Sequence, residues 1–283
     1  MNYIVAVSGG VDSIVLLDKI YRRHDKHNKY IVAHVNHGIR ADADDDERFV
    51  AALAAYYGYP FVSSRLNLDS KASEELARTE RYKYLFAIAK QFKAQIITAH
   101  HADDVVGSIM INHIRGTGWR GLAVMQRLGI VRPLRHYTKR QIIDYALENR
   151  LEWVEDSTNR SLDYLRNRLR PFVNDLSDLD RTKLLDLWRQ QTHLMPMIEK
   201  ELTIQVDWLD NSRYKLIHCP EAAARELLRA IVIRQTGQSL TRPQQESVLL
   251  FVKTAASDST IEVTQNLKIK VSRDRFIVQQ QYQ

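Results

Sequence analysis

Ser8-Gly9-Gly10-Val11-Asp12-Ser13 comes directly after the apolar run Ile4 to Val7 and directly before Ile14 to Ile20, a stretch of helical character. A strand, a tight polar turn and a helix in that order build a cradle for phosphate. Paired glycines let backbone N–H groups approach an anion with no Cβ in the way, and the N-terminus of the following helix adds partial positive charge. Ser8 and Ser13 bring hydroxyl donors. Asp12 is the odd member: a carboxylate beside a polyphosphate is repelled unless a divalent cation lies between them, which makes Asp12 a candidate Mg²⁺ ligand. The ligand so described is ATP. A sharp strand-to-helix turn with capping serines is the plainer alternative.

Working outward, the first 135 residues alternate short β-rich runs with helical stretches. The runs are Tyr3 to Val7, Tyr30 to Val35, Phe61 to Leu66, Gln95 to Ala99 and Ile130 to Leu134. Apolar strands separated by crossover-length helices predict an α/β fold, a doubly wound parallel sheet covered on both faces. Ligands of such sheets bind at the carboxyl ends of the strands, where Ser8, Asn36 and His100 each follow one. From about Leu176 the pattern turns helical, with Leu184, Leu185, Trp188, Thr192 and Met195 at helical spacing and Leu227, Leu228, Ile231 and Val232 marking another helix. Thr241-Arg242-Pro243 reads as an N-cap and early-turn proline opening a helix through Val252. Ile261 to Val263, Leu267 to Val271 and Phe276 to Val278 close the chain as a small β unit. We therefore expect a catalytic domain at 1–175 and a mainly helical domain at 176–283.

The 283 residues carry a net charge of +7 and one cysteine, Cys219. A single cysteine excludes an internal disulfide and any multi-cysteine zinc or iron–sulfur site within this sequence. No apolar run approaches the ~20 residues that span a bilayer, and the opening strand has no signal-peptide layout, so a cytoplasmic location and no membrane partner are expected. Between Arg115 and Arg170 there are 12 Lys/Arg against 6 Asp/Glu, nearly the whole net charge. A basic surplus after an ATP motif points to a polyanion larger than ATP, with RNA the candidate; a solvated helical face is the competing account.

Several polar clusters stand at the predicted strand ends. His34-Val35-Asn36-His37-Gly38-Ile39-Arg40 can hold a nucleotide edge. The acidic run Asp42, Asp44, Asp45, Asp46 and Glu47 looks like a metal site but suits the first turn of a helix, at the positive end of its dipole. On a helix from about Ser73 to Lys90, Arg78 and Tyr82 lie four apart with Arg81 adjacent, so cations can reach one site; surface pairing to Glu74 or Glu75 is the alternative. Thr98-Ala99-His100-His101-Ala102-Asp103-Asp104 places two histidines and two acids after a strand, fitting Mg²⁺ shared between Asp12 and Asp104 better than zinc. Arg115-Gly116-Thr117-Gly118 is a second flexible turn beside a cation. Arg132-Pro133-Leu134, Trp153 to Asn159 and Arg166-Asn167-Arg168-Leu169-Arg170 complete the basic region, with Arg166 and Arg170 on one helix face.

The glycine loop resembles that of the N-type ATP pyrophosphatases rather than GxxxxGK[ST], since it lacks the lysine. SGGVDS, HVNHGIR, ARTERY, TAHHADD, RGTG, RPL, WVEDSTN and RNRLR follow one another in the order and spacing of the tRNA(Ile)-lysidine synthetase family, short form, over roughly the first 170 residues. That resemblance implies ATP-dependent adenylation of the wobble cytidine of a CAU-anticodon isoleucine tRNA, followed by attack of the ε-amine of free L-lysine to give lysidine, AMP and pyrophosphate. It implies catalytic roles for Asp12, Arg81, Asp104 and Arg115, and Mg²⁺ on Asp12 and Asp104. ATP contacts are implied at Ser8, Gly9, Gly10, Val11, Asp12, Ser13, Asn36, His100, His101 and Gly116. Contacts to tRNA are implied at Arg78, Arg132, Asn159, Arg166, Asn167 and Arg170. A homodimer stays open.

The family usually continues the HHADD segment with Gln, a variable residue and Glu-Thr, whereas this chain has Val105, Val106, Gly107 and Ser108. Asp103, Asp104 or a carboxylate from elsewhere would have to serve for the missing glutamate. Otherwise activity is impaired, another amine is used, or the chain is an inactive tRNA-binding relative. Sulfur-inserting tRNA enzymes share the loop but need more cysteines, and NAD or GMP synthetases would not need the RNA-facing arginines.

Overall fold

The computed structural model describes residues 1–23, 25, 27–36, 38, 43–66, 74–154 and 165–280. His37, Ile39, Arg40, Asp42, Ser73 and Glu155 to Asn159 of the motifs above lie outside the described residues. The first part of the chain runs β1 (Asn2–Ala6), α1 (Val11–Arg23), β2 (Lys29–Asn36), α2 (Ala43–Tyr56), β3 (Phe61–Arg65), α3 (Glu74–Gln91) and β4 (Ala94–Ile97). It continues with α4 (Ala102–Ile114), a 3₁₀ turn (Trp119–Leu122), β5 (Ile130–Val131), α5 (Lys139–Glu148), α6 (Leu165–Asn174) and α7 (Asp178–Leu209). After these come α8 (Arg213–His218), α9 (Glu221–Thr236), α10 (Arg242–Thr254), β6 (Thr260–Thr264), β7 (Leu267–Val271) and β8 (Phe276–Gln280).

Among the described residues, β1 to β5 form one sheet in the order β3-β2-β1-β4-β5, every pair parallel. Ile4 and Val5 of β1 are both wholly buried although they point to opposite faces, because helices cover both sides. One face packs Val5, Val32 and Ile97 against Val15, Leu16, Val50, Ile142 and Ala146; the other packs Ile4, Ala33 and Ile96 against Tyr82, Leu85 and Ile88. The run expected over Ile130 to Leu134 pairs only at Ile130 and Val131. Pro133 has no N–H to give a ladder.

The direction in which strands are added reverses at β1: β2 and β3 are laid down on one side of it, β4 and β5 on the other. This is the topological switch point, where the loops leaving two adjacent strands part and open a crevice. The two loops here are Ser8–Gly10 after β1 and Thr98–His101 after β4. Strand order alone thus brings the two richest motifs together.

Two compact units divide the chain, residues 1–110 with 125–185, and 111–124 with 186–283. In the second, the predicted helices form, and Gln244 accepts the Thr241 N–H at 2.8 Å to cap α10. The terminal β unit is an antiparallel sheet in the order β6-β7-β8. Its core joins Leu227, Leu228, Ile231 and Val232 to Val248, Val252, Leu267, Ile269 and Phe276. No helix among the described residues is long and apolar enough to cross a membrane.

Candidate nucleotide site

Gly10 closes the phosphate loop onto α1. Its carbonyl accepts the N–H groups of Ser13 and Ile14 at 3.0 and 3.1 Å and the Ser13 hydroxyl at 2.8 Å. The Ser8 N–H donates to Ser13 Oγ at 3.2 Å, and Val154 N–H donates to the Gly9 carbonyl at 3.0 Å. The Gly9 and Gly10 carbonyls are therefore occupied, while the Val11 and Asp12 N–H groups at the start of α1 have no intrahelical acceptor, which leaves them for an anion. Gly9 has φ +93°, and a Cβ there would meet only Val50 and Val154 at ordinary contact distances. The demand for glycine is conformational, so Gly9→Ala should cost about 1–2 kcal/mol. A urea titration would show it, together with weakened ATP binding.

The β4–α4 loop supplies the opposite wall. His101 is the N-terminal cap of α4: its carbonyl accepts the Asp104 and Val105 N–H groups, and its own N–H donates to Asp104 Oδ2 at 2.9 Å. The buried His101 ring has Nε2 at 3.8 Å from Asp12 and 3.4 Å from Asp104, and Nδ1 at 3.7 Å from Asp103. Each carboxylate also has its own cation: Lys139 Nζ lies 2.6 Å from Asp12 Oδ1, Arg166 bonds Asp104 and Arg181 bonds Asp103. Asp103 further accepts the Lys139 N–H at 2.5 Å, so it sits at the positive N-terminus of α5. Asp103 is thus held by both Arg181 and the start of α5.

Burial opposes ionisation of Asp104 but is outweighed by His101, Arg166, His100 and the His101 N–H, so its pKa is lowered and the group is anionic. The same burial favours neutral histidines: His101 is lowered, and His100, bonded to Thr98 Oγ1 at 2.8 Å, falls to about 3. His34, buried and 2.9 Å from the Val7 carbonyl, is lowered too. Their folded pKa values lie below the unfolded value near 6.5, so the unfolded chain takes up protons first as pH falls. Stability from His34 and His100 is complete above about pH 6.5 and declines below it, by up to about 1.4 kcal/mol per pH unit for each. Urea midpoints at pH 7, 6 and 5 should fall accordingly, with a shallower slope for His100→Asn.

The structure gathers Ser8 to Ser13, His100, His101, Asp104 and Arg166 at the switch point. Arg166, expected on an RNA surface, is turned onto Asp104; Asn167 and Arg170 follow it on α6. Asn36 spends its amide on Asp44 and Glu47, at 2.9 and 3.0 Å, and its carbonyl on the Gly38 N–H. Asp44, Asp45 and Asp46 of the acidic run lie, as expected, in the first turn of α2. Arg132 donates to the Met125 carbonyl at 2.8 Å, and Arg78 and Arg81 lie 5.4 and 5.5 Å from the centroid of the Tyr82 ring. Arg115 and Gly116 fall in the second unit, exposed, with Gly116 at φ +68°. Lys139 and Arg181 escaped the sequence reading. A signal for Lys139 existed: a lysine in the first turn of a helix, against the dipole, calls for an anion from outside it. Gly107 faces α6, where a Cβ would meet Val173 at 3.9 Å.

Asp12 and Asp104, both approaching one histidine nitrogen, are hard oxygen donors suited to Mg²⁺. Among the described residues no third acidic, histidine or cysteine side chain completes a metal site. Two carboxylates without a protein cage fit an ion that arrives on a nucleotide's phosphates.

A parallel sheet with an anion-binding glycine loop at its switch point and carboxylates opposite defines a phosphate-binding nucleotide domain. The PP-loop domain family model matches residues 1–176, and the chain belongs to that family. Among curated proteins it is similar to the tRNA(Ile)-lysidine synthase of Haemophilus ducreyi, 36% identical over 213 residues, which are 72% of this chain and 47% of the relative. It is also similar to that of Geobacter sulfurreducens, 36% identical over 179 residues, 59% of this chain and 38% of the relative. The chain spans less than half the length of these two relatives. In fold it resembles the U34-tRNA thiolase NcsA from Methanococcus maripaludis, with a TM-score of 0.61 at 18% identity, covering 69% of this chain and 72% of that one.

Proposed function

We propose that this protein is a tRNA(Ile)-lysidine synthetase acting in the cytoplasm, with residues 1–175 catalytic and 176–283 binding tRNA. The observation that carries the reading is the pairing of the SGGVDS loop with Asp104 at one switch point, in a chain similar over 72% of its length to a lysidine synthase. The O2 of the wobble cytidine attacks the α-phosphate of ATP, the bond to the bridging oxygen breaks and pyrophosphate leaves. The lysine ε-amine then attacks C2, the C2–O bond breaks, AMP departs with the oxygen, and the nitrogen loses a proton.

In this scheme the loop amides and the Ser8 and Ser13 hydroxyls bind phosphate. Asp12 and Asp104 would hold Mg²⁺, which supplies charge neutralisation on the polyphosphate. Lys139 and Arg166, held beside them, are placed to offset charge as pyrophosphate leaves. Arg81 and Arg115 are proposed to assist, and Arg78, Arg132, Asn159, Asn167 and Arg170 to contact tRNA. His101 keeps the two carboxylates apart while staying neutral.

The experiment incubates the protein with ATP, Mg²⁺, labelled lysine and a CAU-anticodon isoleucine tRNA transcript. Lysine at the wobble cytidine with matching AMP release supports the proposal. Gly107 supports a second reading: AMP without lysine transfer would mean another amine, and tRNA binding without AMP an inactive relative.

A further inference from the structure

The guanidinium of Arg127 lies 5.0 Å from the centroid of the Tyr82 ring and 4.7 Å from that of Phe86. Arg78 and Arg81 flank the same buried Tyr82 ring from α3. Arg127 is exposed, on the turn between the 3₁₀ segment and β5, and the turn is built to present it. Met125 takes φ +63° and Gly129 φ +78°, and Arg132 anchors the turn by donating to the Met125 carbonyl at 2.8 Å.

A guanidinium lying on an aromatic ring is immobilised without spending its N–H donors, which remain free for a forked contact with an oxyanion. Neither Arg78 nor Arg127 forms an ion pair with a carboxylate among the described residues. Arg78 and Arg127 are thus gathered on one ring with no carboxylate paired to either among the described residues. The cluster is also continuous with the nucleotide site. The Val131 carbonyl accepts the Thr98 N–H at 3.0 Å, so Arg132, next in the chain and anchor of the Arg127 turn, stands beside the β4–α4 loop.

We infer that Arg127 and Arg78, stacked on Tyr82, form a seat for a phosphate of the RNA strand next to the nucleotide site. Arg132, besides the tRNA contact proposed for it, holds the turn carrying Arg127. The inference rests on the proposed tRNA substrate and adds to it a contact from a segment outside all the motifs read in the sequence. RNA is favoured over the nucleotide because, among the described residues, neither Arg127 nor Arg78 has a hydrogen bond or ion pair to the phosphate loop, whereas Lys139 and Arg166 stand at Asp12 and Asp104.

The test measures equilibrium binding of the CAU-anticodon isoleucine tRNA transcript over a potassium chloride series for wild type, Arg127→Ala and Arg127→Lys. Mg·ATP affinity is measured calorimetrically and the thermal midpoint is recorded. Arg127→Ala should weaken tRNA binding about tenfold and reduce the slope of log K against log salt by about one, with Mg·ATP affinity and thermal midpoint unchanged. Arg127→Lys should restore the slope but only part of the affinity, since the charge returns without the planar fork. Unchanged affinity and slope in Arg127→Ala would overturn the seat while leaving the substrate reading intact. An equal loss of Mg·ATP affinity would assign the seat to the nucleotide and overturn it too. Failure of the wild type to bind tRNA at all would remove the substrate reading itself.

Discussion

Asp12→Asn should reduce AMP and pyrophosphate formation by about 10²- to 10³-fold, the range found when one preorganised charge-stabilising group is removed. Binding of tRNA should be unchanged within a factor of two or so. Asparagine keeps the shape and one oxygen but loses the charge that would hold Mg²⁺ and Lys139. The fold should tolerate the change. Asp12 and Lys139 are about a third exposed, and pairs so placed contribute about 0–1 kcal/mol. Single-turnover AMP release beside tRNA binding separates the two roles. Equal loss of both would show that Asp12 organises the RNA site and is misassigned.

The largest effect on stability is expected at Arg181→Met, at about 3–5 kcal/mol, the cost of stranding one member of a buried ion pair. Asp103 and Arg181 are each about 10% exposed or less, and Arg181 also donates to the Val173 carbonyl at 3.0 Å. Without the guanidinium, Asp103 retains the Lys139 N–H but must carry its charge in a buried place. The double variant Asp103→Asn with Arg181→Met should recover much of the loss, since removing both charges leaves none uncompensated. Urea unfolding of the three variants decides this. A double variant as unstable as Arg181→Met would mean that the guanidinium packs rather than pairs.

Much of the fold was legible because it rests on short-range patterns. The apolar runs at Tyr3, Tyr30, Phe61 and Gln95 found their strands within a residue or two, since parallel strands buried on both faces need continuous apolar stretches. At β5 the same reading overran, because it weighed the apolarity of Val131 and Leu134 and not the missing N–H of Pro133. The candidate site was legible where one segment carries the chemistry, as in SGGVDS and HHADD. Partners from far along the chain left no sign in the sequence: Asn36, read as a nucleotide contact, bonds Asp44 and Glu47 of α2, and Arg166, read as an RNA contact, bonds Asp104.

The amino-acid sequence by itself determined the glycine loop, the carboxylates that follow the two strands, the alternation of strand and helix and the helical character of the remainder. These depend on backbone freedom, local charge and hydrophobic period, all properties of neighbouring residues. Only the tertiary structure decided which cation each carboxylate meets. Asp12 with Lys139, Asp104 with Arg166 and Asp103 with Arg181 are separated by 127, 62 and 78 positions, and only the strand order brings them together. The placing of Arg127 on the Tyr82 ring is of the same kind. Coulomb and stacking energies depend on distance through space, and the switch in strand order at β1 and β4 sets those distances.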